Sequence, residues 1–181
     1  MHLLAGYHVG MPAVPSVSAT SLIDLVNGYG HRPRAAAGES QNPYPDPIEM
    51  ELPVDRDELI ELADRLWTVF GALEPADRVA ALNSLLADAA LTPEIDPTGV
   101  LRWVTRHERA AALLGAGCAS TLLDAVQRHG WSRLGICDCD DCVDVYLDEH
   151  GRTPRRYCST VCLNRARVRA YRSRKAAGPS R

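Results

Sequence analysis

Residues 137–162 read CDCDDCVDVYLDEHGRTPRRYCSTVC and hold five of the six cysteines in this 181-residue chain. Cys137 and Cys142 form a Cys-x4-Cys pair, and Cys158 and Cys162 form a Cys-x3-Cys pair after fifteen intervening residues. Two short-spaced pairs are what a tetrahedral thiolate site for Zn²⁺ requires, since each pair must turn both sulfurs toward one point. We therefore predict one Zn²⁺ bound by these four side chains.

The ligand set has two alternatives at this stage. Cys139 could replace Cys137 and give a Cys-x2-Cys pair, and His150 could compete as a nitrogen ligand. A disulfide framework is the other use of clustered cysteines, but disulfides belong to oxidising compartments, and nothing in the sequence signals export. The sixth cysteine, Cys118, lies in an apolar helical pattern and is interpreted as a buried core residue.

The segments around the two pairs indicate how each is held. Residues 143–147 alternate apolar and polar side chains before a turn that contains Gly151, which is typical of the start of a β-hairpin. Three residues between Cys158 and Cys162 place both sulfurs on one side of the first turn of a helix. A hairpin with one pair and a helix N-terminus with the other predict a small treble-clef-like zinc finger.

Three segments, residues 137–142, 155–158 and 162–165, resemble the CGNR zinc finger found at the C-terminus of bacterial proteins described as putative stress-induced transcription regulators. Leu163 stands where the family name has Gly, and Tyr157 stands where Trp is usual. The resemblance implies that the two cysteine pairs are the ligands, and it favours the fifth cysteine of the segment as a non-ligand.

The resemblance extends toward the N-terminus. Residues 22–27 look like the motif that opens the family's N-terminal ABATE-type domain, and residues 81–86 look like a later helix of it. Asp24 and Asn27 lie in that opening motif, and we interpret them as groups that hydrogen-bond a neighbouring segment or cap rather than as functional groups. The resemblance as a whole implies a bacterial DNA-binding protein of transcription regulation and stress response.

Charge is divided unevenly along the chain. The net charge is −3, yet residues 152–181 contain ten basic and no acidic residues, whereas residues 1–151 contain ten basic and 23 acidic residues, a net charge of −13. Such a split indicates a basic C-terminal segment with an anionic partner.

The basic residues fall on the helix predicted to begin near Cys158. About 17 residues give a rod of roughly 25 Å, long enough to lie in a DNA major groove. Arg155, Arg156 and Arg165 are assigned partly to the zinc site, where they would offset the −2 charge of four thiolates and one Zn²⁺. The predicted nucleic-acid-binding residues are Arg165, Arg167, Arg169, Arg172, Arg174 and Lys175.

Helical periodicity dominates the rest of the chain, and the predicted fold is mainly α with a minor β-hairpin. Helices are predicted over residues 18–27, 55–70, 75–90 and 106–129, a long loop over 28–54, and a strand or hairpin over 100–104. Ser18, Thr20 or Ser21 is the expected cap of the first helix and Gly28 its end. In the helix over 75–90, Val79, Leu82, Leu85, Leu86 and Ala89 are predicted to face inward.

These features predict three segments: a helical sensor or regulatory domain over 1–133, the zinc finger over 134–176 and a disordered tail over 177–181. The first hypothesis is a DNA-binding transcription regulator whose body senses a small-molecule effector or forms a homodimer. The alternative is an adaptor whose basic helix docks on an acidic partner. No catalytic constellation is visible, so an enzyme is not expected. No apolar run approaches the ~18–20 residues that span a bilayer, so a cytoplasmic protein without membrane association is expected.

Overall fold

Six α-helices and two antiparallel hairpins occur in residues 11–45, 53–71, 74–149 and 153–176, which the computed structural model describes. The predicted mainly helical fold is confirmed. In chain order the elements are α1 (Ala19–Tyr29), α2 (His31–Ala36), α3 (Arg56–Gly71), α4 (Pro75–Ala89), β1 (Thr92–Ile95), β2 (Leu101–Val104), α5 (Ala110–His129), a 3₁₀ turn (Trp131–Arg133), β3 (Leu134–Ile136), β4 (Val145–Leu147) and α6 (Thr160–Ala176).

Helix α1 begins directly after Ser18, one of the three residues proposed as its cap. The backbone N–H of Ser21 donates to Ser18 Oγ at 3.0 Å, which satisfies one of the free donors of the first turn. The helix continues through Gly28 to Tyr29, so Gly28 does not end it as predicted. Tyr29 is buried, and its packing in the core supports the two additional residues of the helix.

The predicted loop over 28–54 is wrong in part, because it contains the short helix α2. Arg34 anchors this helix: its guanidinium is buried, donates to the carbonyl oxygens of Glu39 at 2.7 Å and Asn42 at 2.6 Å, and lies over the Tyr44 ring. A six-residue helix shows no periodicity in sequence. Its stability depends instead on a buried cation that satisfies carbonyls several residues away.

Helices α1, α3, α4 and α5 pack around one apolar core. Leu22, Leu66, Leu114 and Leu122 are almost completely excluded from solvent there. On α4 the inward prediction fails for Val79, which is 42% exposed. Its position lies at the edge of the apolar stripe, where packing rather than spacing decides burial.

Helix α5 begins at Ala110, four residues later than the predicted residue 106. Thr105 is buried, its hydroxyl donates to Ala89 O at 2.7 Å, and it accepts from the N–H of His107 at 3.3 Å. This side-chain turn competes with helical hydrogen bonding and delays the helix. By length and composition α5 is also apolar enough to cross a membrane, an exception to the sequence-based expectation, although a buried core helix meets the same criteria.

The residues between α4 and α5 form the first hairpin. Strand β1 pairs antiparallel with β2, and Thr92 lies opposite Val104. Residues 100–104 were predicted to form a strand or a hairpin, and they form part of a hairpin.

The second hairpin differs from the predicted one in its partner strand. Among the described residues β4 pairs antiparallel with β3, which precedes the cysteines, rather than with a strand beyond Gly151. Cys137 and Cys142 therefore lie in the connection between the two strands. Leu134 and Val145 belong to the apolar core of the helical body, so this hairpin is shared between body and finger. The predicted boundary between residues 133 and 134 stays a prediction.

Candidate metal centre and basic helix

Four cysteine sulfurs converge at the end of the β3–β4 hairpin. The Sγ atoms of Cys137, Cys142, Cys158 and Cys162 all lie within 4.8 Å of one another. The Sγ of Cys158 is 3.7 Å from those of Cys142 and Cys162. A tetrahedron with Zn–S bonds of about 2.3 Å has sulfurs roughly 3.8 Å apart. The arrangement therefore fits a four-coordinate Zn²⁺, and all six cysteines are free of disulfides.

Backbone hydrogen bonds set the first pair. The N–H of Cys137 donates to Asp144 O at 2.9 Å and continues the strand ladder, while the N–H of Cys142 donates to Cys139 O at 2.9 Å and closes a tight turn. These bonds bring the ends of the Cys-x4-Cys segment together. The hairpin predicted to hold the first pair is present, with β3 as its other strand.

The start of α6 sets the second pair. Cys158 lies just before the helix and Cys162 lies in its first turn. Ser159 Oγ accepts from the N–H of Cys162 at 3.3 Å, which satisfies a free donor of that turn. The predicted helix N-terminus is thus the element that carries the second pair.

Cys139 is buried beside Cys137 and Cys162, yet the cluster found in the described residues does not include its sulfur. His150 lies outside the described residues. The four-cysteine ligand set therefore remains a proposal, supported by the mutual distances of the sulfurs.

Burial controls the acidity of two of these thiols. It raises the pKa of Cys158 to about 12, and burial is also the main reason that the pKa of Cys142 lies above its usual value. Without a cation both thiols would stay protonated at neutral pH. A bound Zn²⁺ supplies the positive charge that stabilises their thiolate forms.

Arg156 connects the segment before α6 to the first cysteine loop, residues 137–142, and Arg155 contacts β4 and the second cysteine pair. Arg155 Nη2 donates to Cys158 O at 2.8 Å, and Tyr146 Oη donates to Arg155 O at 2.6 Å. Arg156 Nε donates to Asp138 Oδ2 at 2.8 Å. The hydrogen bonds recorded for both guanidinium groups are with oxygen rather than sulfur, so any effect on the thiolates is through space.

Helix α6 is almost completely exposed, and Cys162 is the one buried residue in positions 160–175. Arg169 forms ion pairs with Asp140 and Asp141 of the first cysteine loop, and the hydrogen bond to Asp141 is the main cause of its raised pKa. Of the residues predicted to bind nucleic acid, Arg165, Arg167, Arg172, Arg174 and Lys175 have no ion pair within the described part of the chain.

The contacts between body and finger were not predicted except at Asn27. Its side-chain Nδ2 donates to Val145 O at 3.1 Å, and its Oδ1 accepts from the N–H of Val145 at 2.8 Å, which confirms the structural interpretation of this residue. Trp67 Nε1 donates to Val143 O at 3.1 Å, and Arg78 Nη2 donates to Leu134 O at 2.9 Å. An isolated Arg or Trp on a helical pattern gives no sequence signal for such a bond.

A cleft of about 730 Å³ separates α1 and α2 from the finger. Thr20 and Asp24 line one side, and Arg155 and Arg165 line the other. Cys142 and Cys158 also face this cleft. No sequence pattern indicated this cleft, because its walls come from segments more than 100 residues apart.

A helical body followed by a cluster of four cysteines and a basic helix defines a mostly helical protein with a C-terminal module of zinc-finger type. Residues 133–175 match the CGNR zinc finger, and residues 18–128 match the family ABATE, described as "Putative stress-induced transcription regulator". The second match covers more than half of the chain, and the chain belongs to this family. Both descriptions are of zinc-finger or regulator type rather than of enzymes. No curated protein matches the chain.

Proposed function

We propose that this protein is a transcription regulator that binds duplex DNA through α6. The observation that carries the proposal is the exposure of this 17-residue helix, in which Cys162 is the one buried residue among positions 160–175. An isolated helix of this length is marginal in water, and most helical stability comes from packing. A helix that projects basic side chains without covering a core is suited to a polyanion.

The zinc finger has a positioning role in this proposal. Cys137, Cys142, Cys158 and Cys162 bind one Zn²⁺, which joins the β3–β4 hairpin to the first turn of α6. The hairpin is fixed in turn to α1 and α3 of the body. Because metal binding supplies folding free energy in small zinc domains, loss of Zn²⁺ would release the start of α6 from the hairpin.

Duplex DNA suits the charge and size of α6. Its length of about 25 Å matches a segment of the major groove, which admits one α-helix. Phosphate contacts by Arg and Lys fix register and orientation, while base contacts supply specificity. The adaptor hypothesis uses the same charge on an acidic protein surface, so the two proposals differ in their partner and not in the residues used. A DNA-bound regulator with reduced thiols belongs in the cytoplasm.

The test is a titration with random-sequence duplex DNA at several salt concentrations. DNA binding predicts that log K falls with log salt by about 0.9 for each phosphate neutralised. A chain that ends at residue 164 keeps all four cysteines and serves as the control; it should retain zinc and lose the affinity. If the full-length chain binds poly-L-glutamate but not DNA at 0.15 M salt, the adaptor hypothesis replaces this proposal.

Ligand sensing by the body is supported by the cleft between α1, α2 and the finger. Its volume lies in the range of small-molecule sites, and a ligand there would touch both the body and the second cysteine pair. A thermal-shift screen of small molecules tests this role, with Thr20→Trp as a variant whose cleft is filled. Compounds that stabilise the parent and this variant equally do not bind in the cleft. Homodimer formation stays a prediction, to be checked by sedimentation equilibrium.

A further inference from the structure

Helix α6 presents its long polar side chains on two sides. Two sets of three residues follow the same i, i+4, i+7 spacing and are offset by two positions: Arg165, Arg169 and Arg172 form the inner side, and Arg167, Tyr171 and Arg174 form the outer side. An offset of two residues is a rotation of about 200° in an α-helix. The two sides therefore point in nearly opposite directions.

The inner side faces acidic groups of the same chain. Arg169 is ion-paired with both Asp140 and Asp141, and Arg165 and Arg172 line the same shallow concavity as Asp141. A phosphate that approached this side would meet two carboxylates within an ion-pair distance of the central arginine. At physiological salt such charges act over about 8 Å, so the repulsion is only partly screened.

The outer side has a different environment. Tyr171 lies at the centre of the outer side and is 61% exposed. Within the described residues no carboxylate pairs with Arg167 or Arg174. Toward the start of the helix this side continues into a concavity formed by Thr160, Leu163 and the segment that carries Arg155 and Arg156.

The charges of that segment extend the same surface. Arg155 donates to a backbone carbonyl and so keeps its full positive charge, while Arg156 is partly offset by Asp138. The outer side thus belongs to one basic surface that runs from before the helix to its end.

We propose that the outer side of α6, centred on Arg167, Tyr171 and Arg174, is the surface that contacts the DNA phosphates, whereas the inner side is held against the finger by Asp140 and Asp141. This inference rests on the proposed DNA binding and adds the orientation of the helix to it. Arg169 then has a positioning role, since its ion pairs fix the rotation of α6 relative to the first cysteine loop. Tyr171 supplies a hydroxyl donor and an apolar ring between the two arginines.

The helix offers a matched pair of variants. The double variant Arg167→Gln with Arg174→Gln removes from the outer side two charges that are seven residues apart. Arg165→Gln with Arg172→Gln removes two charges with the same separation from the inner side, and Gln is a good helix former in each case. Both variants keep the four cysteines, and zinc content and far-ultraviolet circular dichroism verify that each remains folded.

Affinity for random-sequence duplex DNA is measured for both variants and the parent between 0.1 and about 0.3 M salt. Loss of two phosphate contacts, at 0.9 each, lowers the slope of log K against log salt by up to about 1.8. With equal binding of parent and variant at 1 M salt as the reference, this difference weakens binding about 30-fold at 0.15 M salt. We expect this loss for the outer-side variant and a loss under threefold for the inner-side variant.

Equal losses, or a larger loss for the inner-side variant, would overturn the orientation while leaving DNA binding in place. A parent chain without affinity for DNA would overturn the orientation and the proposed function together. A parent that prefers poly-L-glutamate would do the same in favour of an acidic protein partner. The two failures are therefore distinguishable.

A third variant addresses the acidic loop directly. Asp140→Asn with Asp141→Asn frees Arg169 without changing side-chain size. If the outer side contacts DNA, affinity should be equal to or below that of the parent, since these carboxylates lie on the far side of the helix and their loss releases the ion pairs that fix its rotation. A gain of tenfold or more with a steeper salt slope would show that the inner side is the DNA surface, and would overturn the proposal.

Discussion

Replacement of Asn27 by Ala should loosen the joint between the helical body and the zinc finger. Cys137 N–H donates to Asp144 O, and because hydrogen-bonded pairs alternate along an antiparallel ladder, Val145 directs its N–H and C=O away from β3. The side-chain amide of Asn27 satisfies both groups, as a neighbouring strand would. Asn27→Ala leaves them without a protein partner.

The size of the effect follows from these two hydrogen bonds. An unsatisfied buried donor or acceptor costs about 1–3 kcal/mol, and the lower end applies because water from the adjoining cleft can reach this half-buried site. Two groups give a loss of about 2–3 kcal/mol in the free energy of unfolding. Ala is the better helix former, which returns about 0.5 kcal/mol.

Urea denaturation of the zinc-loaded chain measures this difference. Asp24→Ala is the matched control: the residue lies one turn earlier in α1, is exposed, and has no recorded hydrogen-bond partner in the described structure. It receives the same gain in helix propensity without losing a contact to the finger. We expect Asn27→Ala to be less stable than Asp24→Ala by about 2–3 kcal/mol.

The reasoning would be refuted if the two variants unfolded with the same free energy within about 0.5 kcal/mol, the usual range for neutral surface changes. Trp67 bonds to Val143 of the finger. An unfolding transition of Trp67 that precedes the transition of the whole chain would show that the loss is local to the joint.

Three further outcomes are expected. Cys158→Ser should lose the Zn²⁺ found in the parent by elemental analysis, and Cys139→Ser should retain it; loss of zinc in the second variant would return a Cys-x2-Cys pair to consideration. Gly71→Ala should lower stability by about 1–3 kcal/mol in thermal unfolding, since its Cβ would lie 2.6 Å from the Trp67 ring; an unchanged melting temperature would show that the ring moves freely. Residues 1–133 alone should keep their helical circular dichroism but unfold at lower urea than the full chain, because the hairpin completes the core; equal midpoints would make the hairpin dispensable to the body.

Several features were predictable because they depend on short-range spacing. Ser18 caps α1 through a bond to a residue three positions on, and Leu82, Leu85 and Ala89 are buried along α4 as periodicity predicted. The closeness of the two sulfurs within each cysteine pair also follows from local geometry, since each pair needs only a tight turn or one helical turn.

The errors have a common cause. The α2 helix depends on the buried Arg34, the late start of α5 depends on Thr105 and its bond to Ala89, and the strand that pairs with β4 comes from before the cysteines. In each case a contact with another segment overrode the local preference. Local patterns cannot report such a contact because its partner is not in the window that the pattern covers.

The sequence by itself determined the helical class of the body, the two close-spaced cysteine pairs and the presence of a basic helix after them. Only the tertiary structure decided that Asn27 bonds to Val145, 118 residues away, and that Arg169 is neutralised by Asp140 and Asp141 while no carboxylate of the described residues pairs with the opposite side of α6. Charge and periodicity are properties of a segment and can be counted along the chain. Which side of a helix is exposed depends on what packs beside it, and that is fixed by the folding of distant segments together.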